Sequence, residues 1–344
     1  MQIAALRIQN FKGIRELDLS FKDELGRIRP LTVLLGDNGS GKTTVLQAIA
    51  LVLSLATRRT SEPALLDWPG FLAERAGSLG STCIELDVEL QRDEVEAAQA
   101  VTRTVLGRDP IPIAELYSDR TITLPLRYQD GVLKRSGFWM LSGRSQLREL
   151  LKTQPGQRTL FRRLGDVFWF DQHRNVSTMR SGNKSGIEGL REILVAGWAA
   201  HMSQPRDEDS DYLAQIEAQF SLLFPGTRFL GVKPRAGYTS SRPSDMYFLL
   251  QREGRIYDLA EMSSGEQAIF PLLYDFARLS IARSVVLIDE LELHLHPPQQ
   301  QALFNALRRI GPDCQFILTT HSPYLEQITP DEDEIRLDGG RRCL

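Results

Sequence analysis

The sequence predicts an α/β fold with a mostly parallel central sheet, an antiparallel N-terminal lobe and a helical insertion. Three observations support this prediction. Short, continuous apolar runs such as LTVLL, DVFWF and SVVLI are typical of strands that are buried on both faces. Segments of helical length alternate with these runs, which is typical of a parallel sheet. The beginning of the chain instead alternates apolar and polar residues, which indicates antiparallel strands.

The N-terminal elements follow from local patterning. Two alternating runs surround residues 10–13, which predicts a hairpin or a pair of strands. LTVLL is a short strand, and the region from Lys42 to about Ala56 has helical length and few polar residues, so we expect a buried helix. Prolines and glycines over residues 57–80 predict a loop. CIELDVELQ alternates strictly and predicts a half-buried strand.

The second half of the chain is predicted in the same way. IEGLREILVAGWAAHM and DYLAQIEAQFSLLF have the spacing of amphipathic helices. A hairpin with its turn at Glu253 and Gly254 precedes a helix in SSGEQAIFPLLYDFARLSIA. The prolines at the first turn of PPQQQALFNALRRI indicate another helix. We expect the tail after residue 330 to be a polar end without a folded element.

The bulk composition limits the possible functions. A net charge of -3 and a pI near 6.0 argue against a general polyanion binder. The segment Lys134–Arg163 is nevertheless basic and contains aromatic residues, so it can contact DNA or a partner protein, and a solvated surface is an equal alternative. Three widely spaced cysteines fit a reduced cytosolic setting. No apolar run reaches ~18 residues and no signal peptide is visible, so we expect a cytoplasmic protein without membrane insertion.

The glycine-rich segment GDNGSGKT lies between the strand LTVLL and the buried helix, and it matches G-x-x-x-x-G-K-[ST]. In this pattern backbone N–H groups surround phosphate oxygens, and the helix directs its positive end at them. Lys42 would reach the outer phosphates, and the Thr43 hydroxyl would bind Mg²⁺. A glycine turn that only caps a helix is the alternative. The expected nucleotide contacts are Gly36, Asp37, Asn38, Gly39, Ser40, Gly41, Lys42, Thr43 and Thr44.

Two carboxylates follow the apolar strand SVVLI. Asp289, at the carboxyl end of the strand, can bind Mg²⁺ through water, and Glu290 can orient the attacking water. Two acids after a strand also often begin a solvated loop. The glycine-rich segment elsewhere in the chain favours the catalytic interpretation.

Four stretches together resemble the ABC-type ATPase heads of the RecF, SMC and OLD group. These stretches are NFKG, GDNGSGKT, MSSGEQ, and LIDELELHLHPPQQ followed by TTHSP. The resemblance covers both ends of the chain and leaves residues from about 57 to 245 without a known motif. It implies a P-loop NTPase fold of the ABC-ATPase type that binds and hydrolyses ATP with Mg²⁺.

The resemblance implies that MSSGE, residues 262–266, is the signature motif. Ser263 and the backbone near Gly265 and Glu266 would contact the γ-phosphate that the glycine loop of a second copy holds, so that a homodimer encloses two ATP molecules. Ser264 replaces the glycine that the family usually has. A serine-glycine turn that opens a helix can also bind an anion by itself, or serve as an N-cap with Ser264 as the capping residue.

Two further residues are assigned by the resemblance. His321, after FILTT, matches the switch histidine, which would hydrogen-bond the γ-phosphate. Gln172, after a buried strand, matches a glutamine that contacts Mg²⁺ and water. A structural histidine and an exposed strand end are the alternatives. The NFKG turn matches the early turn of the group, and Lys12 or Arg7 would approach the nucleotide there.

His294 and His296 fall on one side of an extended segment, a spacing that can bind zinc. No cysteine lies nearby in the sequence, and the resemblance places the segment in a loop at the dimer interface. We therefore expect an interface loop here rather than a metal site.

The resemblance predicts one ABC-type ATPase domain over residues 1–344. Residues 1–56 would form an N-terminal lobe with the glycine loop, 57–245 its continuation with the unrecognised insertion, and 246–344 a lobe with the signature motif, the two carboxylates and the switch histidine. No sustained heptad pattern indicates an SMC-like coiled-coil arm. Few residues follow His321, so we do not expect an OLD-like nuclease domain.

Short heads of this group resemble the ATPase components of bacterial anti-phage systems, which commonly control a separate nuclease or toxin effector. We therefore expect an ATP-hydrolysing switch that controls such an effector. The alternative is a nucleotide-dependent clamp or scaffold of DNA repair or recombination, whose closed state binds DNA. A transporter subunit is disfavoured because those nucleotide subunits lack this beginning and the HLHPPQQ run.

Overall fold

The structure is a computed structural model. It describes residues 1–66, 68, 70–77, 80–107, 121–134, 139–152, 160–171, 187–203, 211–235 and 242–337. The chain forms two compact units, each interrupted in sequence by the other. Unit 1 comprises Met1–Asp171, Ile281–Leu291 and Gly311–Leu344, and unit 2 comprises Gln172–Ser280 and Glu292–Ile310. The functional division at residues 56 and 245 stays a prediction.

The described residues form the following strands and helices. The strands are β1 (Gln2–Phe11), β2 (Ile14–Ser20), β3 (Leu31–Leu35), β4 (Cys83–Gln91), β5 (Thr121–Gln129), β6 (Val132–Lys134), β7 (Val167–Phe170), β8 (Arg228–Pro234), β9 (Met246–Arg252), β10 (Arg255–Asp258), β11 (Val285–Ile288), β12 (Gln315–Thr319) and β13 (Glu334–Arg336). The helices are α1 (Lys42–Ala56), α2 (Arg92–Leu106), α3 (Gly143–Leu151), α4 (Ile187–Ser203), α5 (Tyr212–Leu223), α6 (Ser264–Arg278), α7 (Pro297–Ile310) and α8 (Pro323–Ile328).

A parallel sheet lies in unit 1, with the strand order β13-β3-β12-β11-β7. Every neighbouring pair in it is parallel. β3, β7, β11 and β12 are buried along their whole length, because their side chains are apolar on both faces. The prediction of an α/β fold with a mostly parallel sheet is confirmed.

The expectation of an unfolded polar tail was wrong. Residues 334–336 form β13 and pair with β3, with Ile335 opposite Leu34. Asp333, just before the strand, is buried. A strand of three residues is too short to show the alternation of apolar and polar residues that predicts a strand. The formation of β13 therefore depends on its pairing with β3 and not on a pattern in the local sequence.

The antiparallel sheet of unit 1 has the order β2-β1-β4-β5-β6. Phe11 pairs with Ile14, so β1 and β2 form a hairpin around residues 12 and 13. This confirms the prediction for the beginning of the chain. Apolar side chains of β1 and β4 share one core with the apolar side chains of α1. The outer face carries ion pairs such as Arg127 with Glu85 at 3.0 Å. The alternation in the sequence therefore separates a core face from a charged face.

Helix α2 was not anticipated from the sequence. Val95, Ala98 and Val101 are among its buried side chains and have helical spacing, but an alanine adds little to the apolar pattern that predicts a helix. Strands β5 and β8 were also not anticipated. Each alternates buried and exposed residues for part of its length but lies in a segment without a motif.

Unit 2 contains the antiparallel sheet β10-β9-β8 and helices α4 to α7. The β9–β10 hairpin turns at Glu253 and Gly254, whose φ angles are 50° and 82°, as predicted. Trp198 of α4 packs edge to face on Phe248 of β9, with ring centroids 5.7 Å apart. A Cβ on Gly231 would lie 2.5 Å from the Trp198 ring, so this contact requires glycine. None of the described helices is long and apolar enough to cross a bilayer.

Candidate functional site

The carboxyl ends of three parallel strands bring together most of the predicted catalytic residues in unit 1. The glycine loop follows β3, Asp289 and Glu290 follow β11, and His321 comes two residues after the end of β12. β12 lies between β3 and β11, so the three segments leave the sheet at one edge. In parallel sheets this edge is where ligands bind.

The glycine loop adopts a backbone conformation that side chains disfavour. Gly36, Gly39 and Gly41 have φ angles of 144°, 79° and 95°. A Cβ on Gly36 would lie 2.6 Å from the backbone oxygen of Leu337 and 2.8 Å from Ser40 Oγ. Glycine is therefore required at this position both by the backbone angle and by the close approach of the neighbouring chain.

Two donors of the loop are buried. Lys42 is 5% exposed, and its Nζ donates to the carbonyl oxygens of Gly36 at 2.7 Å and Asp37 at 3.0 Å. Ser40 Oγ is buried and has no hydrogen-bond partner among the described residues. A buried hydroxyl without a hydrogen-bond partner among the described residues, in the same loop as a buried ammonium group, fits an anion such as a phosphate group.

A hydroxyl and a carboxylate meet at the start of α1. Thr43 Oγ1 donates to Asp289, with distances of 3.0 Å to Oδ1 and 3.1 Å to Oδ2. Asp289 is 3% exposed. Oxygen ligands of this kind suit Mg²⁺, which is usually bound by one or two protein groups together with water and phosphate oxygens. The described residues contain no group of three or more His, Cys, Asp or Glu side chains that could hold a metal.

Thr319 completes this arrangement, and sequence reasoning missed it. Its hydroxyl donates to Asp289 Oδ1 at 2.6 Å and accepts the backbone N–H of Glu290 at 2.9 Å. Glu290 has a φ angle of 51°, which is uncommon for a residue with a side chain. The hydroxyl thus holds both carboxylate residues in place. The only signal in the sequence was a pair of threonines directly after the apolar run FIL.

The sequence also singled out three histidines, a glutamine and a lysine. His321 is exposed at the same edge of the sheet. Gln172 lies outside the described residues. Lys12 is half-buried, and its Nζ donates to Gln47 Oε1 at 2.6 Å and to the Gly70 carbonyl at 2.7 Å, while burial lowers its pKa. His294 and His296 are both exposed and join no group of potential metal ligands in the described part of the chain.

The signature segment begins α6 in unit 2. Ser263 is the N-cap residue, so the expectation of Ser264 in that position was wrong by one residue. Ser263 and Glu266 form a capping box in which Ser263 Oγ accepts the Glu266 N–H at 3.4 Å and Glu266 Oε2 accepts the Ser263 N–H at 2.8 Å. The helix N-terminus is therefore closed by its own side chains.

Two neighbours surround this turn. The second oxygen of Glu266, Oε1, accepts from Arg252 Nη1 at 3.0 Å and from the Tyr257 hydroxyl at 3.1 Å. Burial, and then the charge of Glu266, raise the pKa of Tyr257 to about 12, so this hydroxyl stays a donor at neutral pH. A Cβ on Gly265 would lie 2.2 Å from Gln299 Oε1, so glycine lets the Gln299 amide approach the helix start.

The basic segment Lys134–Arg163 is described only in part, because residues 135–138 and 153–159 lie outside the described ranges. Arg144 lies inside the protein rather than on its surface. It is buried, and Nη1 donates to the carbonyls of Phe161 at 2.9 Å and Leu164 at 3.1 Å. Burial lowers its pKa to about 10. Arg148 pairs with the buried Asp166 at 2.9 Å, so two of the predicted surface cations have structural roles.

Two protein families match consecutive parts of the chain. "AAA domain, putative AbiEii toxin, Type IV TA system" matches residues 118–325, and "AAA ATPase domain" matches residues 1–118. The first of these matches spans the signature segment, Asp289, Glu290 and His321. The second spans the glycine loop.

Several relatives are similar over nearly the whole chain. The retron Ec83 probable ATPase of Escherichia coli is 40% identical over 94% of this chain and 69% of its own length. The OLD nuclease of Thermus scotoductus is 26% identical over 94% of this chain, which spans only 59% of that nuclease. The Septu protein PtuA of Bacillus thuringiensis is 20% identical over 97% of this chain and 75% of its own length.

Among solved structures, an SMC head bound to the C-winged helix domain of ScpA matches 95% of this chain and 91% of its own, with 14% identity and a TM-score of 0.48. The family match over residues 118–325 and the 40% identity to the Escherichia coli relative carry the assignment. The chain belongs to the family described as "AAA domain, putative AbiEii toxin, Type IV TA system", and it has relatives among retron ATPases, OLD nucleases and Septu proteins.

Proposed function

We propose that this protein is a Mg²⁺-dependent ATPase that works as a molecular switch, in which two copies enclose two ATP molecules. The observation that carries the proposal is the contact of Thr43 and Thr319 with Asp289 beside the glycine loop. This contact supplies oxygen ligands for a metal next to buried donors for phosphate, which is the chemistry that ATP cleavage needs.

Each residue of the site in unit 1 has its own role in ATP hydrolysis. Lys42 and Ser40 bind phosphate oxygens, and Thr43 and Asp289 hold Mg²⁺. When bound, Mg²⁺ neutralises charge on the phosphates. Glu290 orients the attacking water, and His321 donates to the γ-phosphate. Ser263 of the second copy, at the start of α6, contacts the same phosphate, so hydrolysis releases one copy from the other.

We assign the switch to a bacterial anti-phage defence complex, where it controls a separate effector such as a nuclease or toxin. The similarity to a retron probable ATPase and a Septu protein supports this assignment. A DNA-repair clamp is the competing function. ATP turnover that does not change with added DNA favours the defence switch, and turnover that DNA stimulates favours the clamp.

The switch is tested by two substitutions and a matched control. Glu290→Gln keeps the shape of the side chain but not its charge, so this variant binds ATP, hydrolyses it slowly and accumulates as a dimer. Lys42→Ala loses a phosphate contact and stays monomeric with ATP. Glu24→Gln, an exposed carboxylate in a loop, behaves as the unmodified protein. Light scattering with ATP and Mg²⁺ measures the mass, and wild-type turnover by Glu290→Gln would refute its assigned role.

A further inference from the structure

The carboxylate of Glu266, in the signature segment, accepts four hydrogen bonds. The residue is 5% exposed. Its Oε2 accepts from the Ser263 N–H at 2.8 Å and from Ser263 Oγ at 2.7 Å. Its Oε1 accepts from Arg252 and Tyr257. Four donors thus surround one buried carboxylate, and one of them is the positively charged guanidinium of Arg252.

These contacts create a competition for one proton. A serine hydroxyl has a single proton to donate, and here it points at Glu266 Oε2. An ionised phosphate only accepts hydrogen bonds, so Ser263 must turn its proton away from Glu266 in order to donate to a phosphate. The strength with which Glu266 holds that proton therefore affects how well Ser263 binds a phosphate.

Arg252 is the group that moderates the charge of Glu266. It lies at the end of β9, its side chain is 38% exposed, and it forms the one ion pair described for Glu266, at 3.0 Å. Without this cation, the buried carboxylate keeps its full charge next to the place where Ser263 meets a phosphate. That charge repels the phosphate and strengthens the carboxylate's hold on the serine proton.

We propose that Arg252 is a positioning residue that acts through Glu266 and makes the Ser263 hydroxyl available to the γ-phosphate of a second copy. The inference rests on the proposed ATP-dependent dimer. It assigns a role to the β9–β10 hairpin, because Arg252 on β9 and Tyr257 on β10 both donate to the same oxygen of Glu266.

The test uses Glu290→Gln as the parent and measures the ATP concentration that gives half-maximal dimer by light scattering. Arg252→Met raises this concentration by about tenfold or more, since a charge-assisted contact is lost. Arg252→Lys has a smaller effect because the positive charge remains. Arg252→Met combined with Glu266→Gln returns toward the parent value, because the unpaired charge is gone.

Arg255→Met is the matched control. Arg255 is an exposed arginine on the same hairpin, with its guanidinium 5.9 Å from the Tyr257 ring centroid and no ion pair to Glu266 among the described contacts. This variant loses the same charge and keeps the parent value. Binding of a fluorescent ATP analogue to the monomer is unchanged in all variants, because Ser263 contacts the nucleotide of the other copy.

The outcomes separate the two proposals. A parent that never dimerises with ATP refutes the proposed function, and the inference with it. A parent that dimerises while Arg252→Met matches Arg255→Met overturns the inference alone. An Arg252→Met effect that Glu266→Gln does not relieve also overturns it. Should Arg252→Met not fold, Tyr257→Phe removes the other Oε1 donor and is expected to shift dimerisation in the same direction.

Discussion

Asp289 illustrates how single side chains set the chemistry of unit 1. It accepts from Thr43 at the start of α1 and from Thr319 at the end of β12, and its own N–H donates to Phe170 at the end of β7. Two elements thus hold the carboxylate, and a third holds the backbone of the same residue. Because it is buried, its position depends on these partners rather than on solvent.

We predict that Thr319→Val weakens both the fold and the reaction. The substitution removes the donor to Asp289 and leaves the Glu290 N–H without its acceptor, which costs about 1–3 kcal/mol of unfolding free energy. ATP turnover also falls, because Glu290 loses its support. Thr319→Ser keeps the hydroxyl and is expected to retain most of both. Urea unfolding and an ATPase assay check the pair, and equal behaviour of the two variants would contradict the role of the hydroxyl.

Alanine substitutions in the glycine loop test the close approach of Leu337. Gly36→Ala places a Cβ against the Leu337 carbonyl, whereas a Cβ on Gly39 meets nothing within 4 Å. Both residues have positive φ, so both variants are strained, by about 1–2 kcal/mol. We expect Gly36→Ala to lose roughly 1–3 kcal/mol more. Thermal unfolding without nucleotide measures the difference, and equal losses would argue against the carbonyl contact.

The sequence predicted the roles of residues that lie in short motifs. It did not predict the roles of residues whose partners are distant in the sequence. The glycine loop, Asp289 and Glu290 each follow a buried strand, so their neighbours in sequence predict where they lie. Thr319 and Arg252 gain their importance from partners 30 and 14 residues away, respectively. No local pattern reveals such contacts, because the sheet and the hairpin bring them together.

Helix α3 shows that a charged segment of the sequence can bury one of its charges when it folds. Its Arg144 lies between the rings of Phe161 and Phe168, 4.8 Å and 5.2 Å from their centroids. A count of charges along the sequence cannot distinguish such an internal arginine from a surface one. The basic segment is therefore a smaller candidate surface for DNA than its composition predicted.

Arg144→Met is expected to destabilise the fold without a direct effect on DNA binding. It leaves the carbonyls of Phe161 and Leu164 without this donor, which costs about 2 kcal/mol or more. Lys134→Met, an exposed change of the same charge, leaves stability unaltered. Urea unfolding compares the two. A stable Arg144→Met variant would show that the buried guanidinium is dispensable.

Across the whole molecule, the strongest prediction from sequence was the α/β class, because short continuous apolar runs that alternate with helical segments are typical of buried parallel strands. Strand β13 was missed because three residues are too few to show the alternation typical of a strand. Helix α2 was missed because its alanines give only a weak apolar periodicity. The glycine loop belongs to unit 1 and the signature segment to unit 2. Both are intact in one chain, and we propose that they act on the same ATP only when they come from two copies.

Mixing two inactive variants tests this shared site most directly. Lys42→Ala damages the glycine loop, and Ser263→Arg damages the signature segment, so each alone has little ATP turnover. A mixed dimer contains one undamaged site, and an equal mixture is expected to recover about a quarter of the unmodified turnover. A mixture of Lys42→Ala with Glu290→Gln recovers nothing, because both changes damage the same half of a site. Recovery in the first mixture alone is the predicted result, and no recovery in either would contradict a site built from two copies.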